Sequence, residues 1–173
     1  MPPAHALSPS GLWEFSLACY ARPGVADACL HLQDQHGVNV NLLLWCAWLD
    51  VRGQTLDAAS LHTAQKRIRG WDEHYVIPLR RLRRRMKVEF GVTDAGIEAV
   101  RAQIKQAELL AEKQLQLWLE TVVVSERHED EAGENPRADW NNVRFYLQHL
   151  RVTEGVITWL VDVLGVDSGL LAE

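Results

Sequence analysis

Apolar and polar positions along this chain recur with the period of a helix, and the breaks between runs fall at glycine, proline and asparagine. Ser8-Pro9 offers an N-cap and a first-turn proline ahead of "SGLWEFSLACYAR", which Pro23-Gly24 terminates. A second helix is predicted over residues 23–36: Val25, Cys29 and Leu32 recur at i, i+4, i+7, and Gly37 supplies the stop. A third opens at Asn39 or Asn41 and ends near Gly53. Its middle, "LLLWCAWL", is apolar on every face, which places it at the centre of a bundle with neighbours on all sides. Asp57 starts a fourth helical region, expected to break around Gly70-Trp71, and Pro78 begins or kinks the helix that follows. Thr93-Asp94 caps a long fifth helix reaching about Glu126, or ~50 Å at 1.5 Å per residue. An acidic loop, residues 127–135, then leads to a C-terminal helix over residues 136–165. No strand is expected. The pattern describes an all-α, single-domain bundle over residues 1–173, of about six helices, with an apolar central third helix and a long fifth one.

Composition narrows the class. Apolar residues make up 47% of the 173 and charged residues 24%, ordinary values for a globular chain long enough to bury a core. The seven tryptophans sit mostly in apolar company, which suits core packing. Cys19, Cys29 and Cys46 form no CxxC pair and fall inside apolar runs, the pattern of reduced, buried thiols. With no export-like N-terminal pattern and no apolar run approaching the ~20 residues of a spanning helix, a cytoplasmic protein without a membrane role is expected. The net charge of −5 is unevenly divided, +3 over residues 1–91 and −8 over residues 92–173.

Against this acidic background "LRRLRRRMK" concentrates Arg80, Arg81, Arg83, Arg84, Arg85 and Lys87 in nine residues. On a helix, Leu79, Leu82, Met86 and Phe90 form a narrow apolar seam, and the six cations spread over the remaining circumference. The expected arrangement packs the seam against the body and turns the cations outward or sideways, partly neutralised by Glu89 or by the acidic loop. Guanidinium forks suit carboxylates and phosphates alike. The plainest reading is a solvated face whose long charged side chains cover the seam; among partners an acidic protein surface comes first, RNA or DNA second because stacking aromatics are not interleaved with the arginines, and a membrane surface last.

"LWEFSLACYARPGVADACLHLQDQHGVNVNLLLWCAWL" (Leu12 to Leu49) and the later "VIPLRRLRRRMK" resemble an uncharacterised family of small proteobacterial proteins, a domain of unknown function (number two-three-nine-zero), over about residues 12–90. The resemblance implies a bacterial cytoplasmic protein of helical character and no particular activity. The family pattern favours Asp where this chain has Asn39.

Two further groups of polar residues have chemistry to offer. Gln33 and His36 share the arc of the buried stripe and stand next to Asn39, Asn41 and Trp45, so they form either a structural hydrogen-bond network or the polar wall of a pocket. On the opposite face Asp27, His31 and Asp34 align at i, i+4, i+7, a pattern more typical of a solvated face than of a metal site. "WDEHY" (Trp71 to Tyr75) has catalytic residue types without a nucleophile or orienting partner, and the chain has no P-loop, GxSxG or HExxH. No cofactor and no metal is expected. The leading expectation is a non-catalytic interaction or adaptor module that docks an acidic partner through the arginine-rich helix. Nucleic-acid binding by the same arginines follows, and then a small-molecule binder or enzyme centred on His36. A homodimer through the 94–126 helix is compatible with each, since Ile97, Val100, Ile104, Ala107, Ala111 and Trp118 recur at heptad-like spacing.

Overall fold

A computed structural model describes residues 11–126 and 139–165. The described residues are all-α apart from one pair of two-residue strands. In chain order the helices are α1 (Leu12–Tyr20), α2 (Val25–His36), α3 (Val40–Val51), α4 (Ala58–Trp71), α5 (Ile77–Phe90), α6 (Ala95–Glu120), α7 (Asn141–His149) and α8 (Glu154–Gly165). A π-helical turn, Asp72–Val76, joins α4 to α5 without a break. The strands β1 (Gln54–Thr55) and β2 (Ser125–Glu126) pair antiparallel. The chain divides into two compact units, Met1–Leu61 with Val123–Glu173, and His62–Val122.

The first unit is built around α3. Every residue from Asn41 to Asp50 is buried, as a helix apolar on all faces requires, and α1, α2 and α7 pack around it. Asn39 caps it: the side-chain Oδ1 accepts from the N–H groups of Asn41 (3.0 Å) and Leu42 (3.2 Å). Gly37 ends α2 with φ +64°, a left-handed conformation that glycine adopts without a Cβ penalty. α8 packs on α2 and α7.

The second unit is a helical hairpin in which α5 and the π-turn pack against α6. Asp94 caps α6 by accepting from Gly96 N–H and Ile97 N–H. At the hairpin base, Trp71 donates its indole N–H to the Ala111 carbonyl (2.9 Å) and meets Trp118 edge to face.

Three boundaries differ from the sequence expectation. The fourth helix does not break at Gly70-Trp71. The chain turns through one π-helical segment, where Ile77 N–H donates to the Asp72 carbonyl five residues back, and Pro78 becomes the second residue of α5. Widening the turn moves the carbonyl that the proline ring would otherwise meet, so the rod continues. The fifth helix stops at Glu120 rather than about Glu126, because the β-branched run Thr121-Val122-Val123-Val124 leaves the helix and its continuation becomes β2. The expected single C-terminal helix is two. α7 closes with Val152 N–H donating to the Leu147 carbonyl and Arg151 N–H to the Gln148 carbonyl, with Arg151 at φ +58° and Leu147 and Val152 both buried. This is a Schellman stop with arginine where glycine is usual, so the residue that ordinarily announces it is missing. The predicted Ser8-Pro9 start, the acidic loop over residues 127–135 and the start of the C-terminal helix at residue 136 lie outside the described residues.

Among the described residues no helix is long and apolar enough to cross a membrane, and no group of three or more His, Cys, Asp or Glu could hold a metal ion.

Candidate functional site

The arginine-rich helix is where the chain departs most from the needs of packing. No residue of α5 is buried. The seam expected to lie against the body is loose: Leu79 and Met86 are half-buried, while Leu82 and Phe90 are exposed. The face turned to α6 carries Arg80 and Arg83 instead. Arg83 meets both oxygens of Glu108, with Nε 2.5 Å from Oε2 and Nη2 3.2 Å from Oε1. Arg80 bridges two carboxylates, Nε to Glu108 Oε1 at 3.2 Å and Nη2 to Glu112 Oε1 at 2.5 Å. The side chain of Glu108 is only 6% exposed and sits between the two guanidinium groups.

The electrostatics of this cluster follow from burial and pairing. Burial alone would pull Arg80 down, but the Glu112 and Glu108 carboxylates outweigh it and hold its pKa above the ordinary value. Burial pushes the Glu112 carboxyl up, Arg80 opposes that only in part, and Glu108 and Asp72 add to it. The network therefore contains one carboxylate whose ionisation is costly.

The basic run is thus two surfaces rather than one, contrary to the expectation that all six cations face outward or sideways. Arg80 and Arg83 lie inside the hairpin, where they satisfy the chain's own acids. Arg81, Arg84, Arg85 and Lys87 are exposed. Of these, Arg85 reaches Glu89 at 3.6 Å along the helix, the neutralisation anticipated from the sequence, in a solvent-exposed geometry that contributes little. Arg81, Arg84, Arg85 and Val88 follow one another at i, i+3, i+4, i+7 and form a continuous outer face. Exposed aromatic rings stand near either end, Tyr75 before the run and Phe90 after it.

The polar residues near α3 differ in burial and in bonding. Asn39 is half-buried and caps α3, its N–H donating to the Tyr146 hydroxyl at 3.2 Å. Asn41 is buried, Trp45 is fully buried, and Gln33 and His36 are half-buried. A shallow recess of about 430 Å³ lies instead on the other side of α2, lined by Asp27, His31, Gly155, Val156 and Trp159. The His31 ring there is 5.6 Å from Trp159 and 5.9 Å from His36.

Two residues that sequence reasoning passed over hold the first unit together. Asp50, fully buried, accepts at Oδ1 from Asn142 N–H (3.0 Å) and at Oδ2 from Val143 N–H (3.2 Å), so a carboxylate from α3 caps α7. The Asn142 side chain accepts from Leu56 N–H (2.8 Å) and donates to the Gln54 carbonyl (2.7 Å). The signal was a lone acid closing an otherwise wholly apolar helix, "LLLWCAWLD".

The three thiols are buried and free. Burial raises Cys19 to about 11, against a small lowering by Arg22, and burial with help from Cys19 raises Cys29 to about 12. Cys46 is raised by burial and by the neighbouring Asp50. All three are protonated at pH 8 and shielded from reagent. A thiol probe at that pH is expected to leave the native protein unlabelled over minutes and to label all three after denaturation. Rapid labelling of any one without denaturation would contradict this burial.

No curated protein and no solved structure matches the chain. A family profile matches residues 11–119, past residue 90 where the resemblance in the sequence fades, and so takes in α1 through nearly all of α6, including Glu108 and Glu112. The match covers well over half of the sequence, and the chain belongs to the family described as Protein of unknown function (DUF2390).

Proposed function

We propose that this protein is a non-catalytic interaction module whose helix α5 docks an acidic protein surface through Arg81, Arg84 and Arg85. The observation that carries this reading is the division of labour along α5. Arg80 and Arg83 engage Glu108 and Glu112, Lys87 lies on the α6 side and adds to Arg101 in lowering the pKa of Glu98, and Arg81, Arg84 and Arg85 sit together on the outer face of a helix that buries no residue. Clustering like charges opposes folding and does nothing for a core, so a role outside the fold accounts for it better than a role inside.

A second reading has its own support. Tyr75 and Phe90, each more than half exposed, flank the basic run in sequence, and although Phe90 belongs to the seam opposite Arg81, they are exposed rings on which a single-stranded nucleic acid would stack beside phosphate contacts. The pocket reading has weaker support, since Asn39 serves as a cap and Trp45 is fully buried.

One titration separates these. Wild type and an Arg81→Glu, Arg84→Glu, Arg85→Glu variant would be tested for binding to polyglutamate, to single-stranded RNA and to duplex DNA across a salt series. The expected result is salt-sensitive binding of the acidic polypeptide, weakened at least about tenfold in the variant. Preference for RNA, with a logarithmic salt slope of about −0.7 per phosphate contact, would install the second reading. Binding to none of the three at low salt would remove both.

A further inference from the structure

The outer side of α6 carries a pattern that neither the hairpin nor the basic face uses. Its inner side is occupied: Glu108, Ala111, Leu115, Gln116 and Leu119 are buried. Opposite, the positions Val100, Gln103, Ala107, Leu110, Gln114 and Leu117 follow one another at alternating spacings of three and four, the repeat of a coiled-coil seam. None of the six is charged, and every charged residue of α6, from Glu98 to Glu120, lies off this line. Val100 is 53% exposed, Leu110 68% and Leu117 44%. The stripe runs for about 26 Å at 1.5 Å per residue. It is also not the seam that the sequence suggested. Of that set, Ala111 is buried, Ile97, Ile104 and Trp118 are half-buried, and only Val100 and Ala107 are exposed.

The order of residues along the stripe identifies the occupant. Read forwards it is apolar, Gln, apolar, apolar, Gln, apolar, and read backwards it is the same. Laid antiparallel on a second copy about a two-fold axis, Val100 meets the other copy's Leu117, Gln103 meets its Gln114, and Ala107 meets its Leu110. Apolar groups then face apolar groups in the Val100–Leu117 and Ala107–Leu110 layers, a small alanine lies opposite a large leucine, and in the layers between each carboxamide finds another that can both donate and accept. The flanking Lys113 comes opposite Gln106, so no like charges meet. A partner of opposite charge would find nothing on the stripe to pair with, whereas a two-fold interface requires a surface complementary to itself. We propose that this face of α6 is the interface between two copies of the chain, paired antiparallel in that register. It is independent of the docking role of α5.

Sedimentation equilibrium tests it. The wild type is expected at twice the 19.6 kDa chain mass at tens of micromolar. Leu110→Glu and Ala107→Lys, both at exposed positions and therefore compatible with folding, should each weaken association at least tenfold while circular dichroism and thermal midpoint stay near wild type. Mixing the two variants places the new carboxylate of one chain opposite the new ammonium of the other, and should restore a heterodimer to within about threefold of wild-type affinity. A wild type that is monomeric at 100 μM would overturn the proposal, as would a dimer that neither substitution weakens. Loss of association in both variants without restoration on mixing would overturn the antiparallel register.

Discussion

Asp50→Ala is expected to destabilise the protein by about 3–5 kcal/mol, among the largest effects available to a single substitution. The carboxylate is fully buried and caps α7 from across the helix pair, accepting from the Asn142 and Val143 N–H groups. Deleting it deprives two buried donors at a helix start of their acceptor, each worth roughly 1–3 kcal/mol when left unmade, and opens a cavity beside a packed helix. Asn142 links the same point to Leu56 and Gln54, so the loss should spread to β1 and its pairing with β2. Asp50→Asn keeps one oxygen acceptor and should cost less, about 1–2 kcal/mol. Urea unfolding of the three proteins side by side would read this directly. An unchanged midpoint for Asp50→Ala would mean that water reaches the α7 N-terminus and replaces the carboxylate.

Glu108→Ala is the second large effect, expected at about 2–4 kcal/mol and felt first in the hairpin. Glu108 is the shared acceptor of Arg80 and Arg83, which are 17% and 25% exposed, so its removal leaves two poorly hydrated guanidinium groups close together. Glu112 can compensate only Arg80, and its own pKa, already raised by burial, shows how poorly this environment favours charge. Hydrogen exchange should accelerate along α5 and α6. Partial exposure of the arginines puts the estimate at the lower end of what broken buried pairs cost. If replacing Glu108 together with both arginines by leucine or methionine proved no better tolerated than Glu108→Ala, the loss would come from packing and not from uncompensated charge.

The two clusters differ in how far the sequence announced them. The amphipathic pattern of "LRRLRRRMK" was legible, and so was the concentration of charge. Which arginines face inward was not, because the acids that select Arg80 and Arg83 lie 25 to 32 residues away on another helix. The local pattern alone points the seam of Leu79, Leu82, Met86 and Phe90 inward; paired with α6 the helix turns part of its charge inward, since Glu108 must be satisfied once it is buried. An asparagine cap for α3, at Asn39 or Asn41, was legible from its place before an apolar run, and the structure selects Asn39. Its bond to Tyr146, 107 residues away, was not.

Local chemistry was enough to determine the helical class, the centrality of α3, an asparagine cap at Asn39 or Asn41, a cap at Thr93-Asp94 and the stop at Gly37, because capping, left-handed glycine and hydrophobic period act over a few residues. Membership of the family rests equally on sequence. The tertiary structure decided the rest: the π-turn that carries the chain past Pro78, the Schellman stop at Arg151, the capping of α7 by Asp50, and the division of the basic run into Arg80 and Arg83, which hold the hairpin, Lys87 beside Glu98, and the outward Arg81, Arg84 and Arg85. Each of these depends on groups brought together from distant positions, where the cost of leaving a buried donor or charge unpaired outweighs local preference.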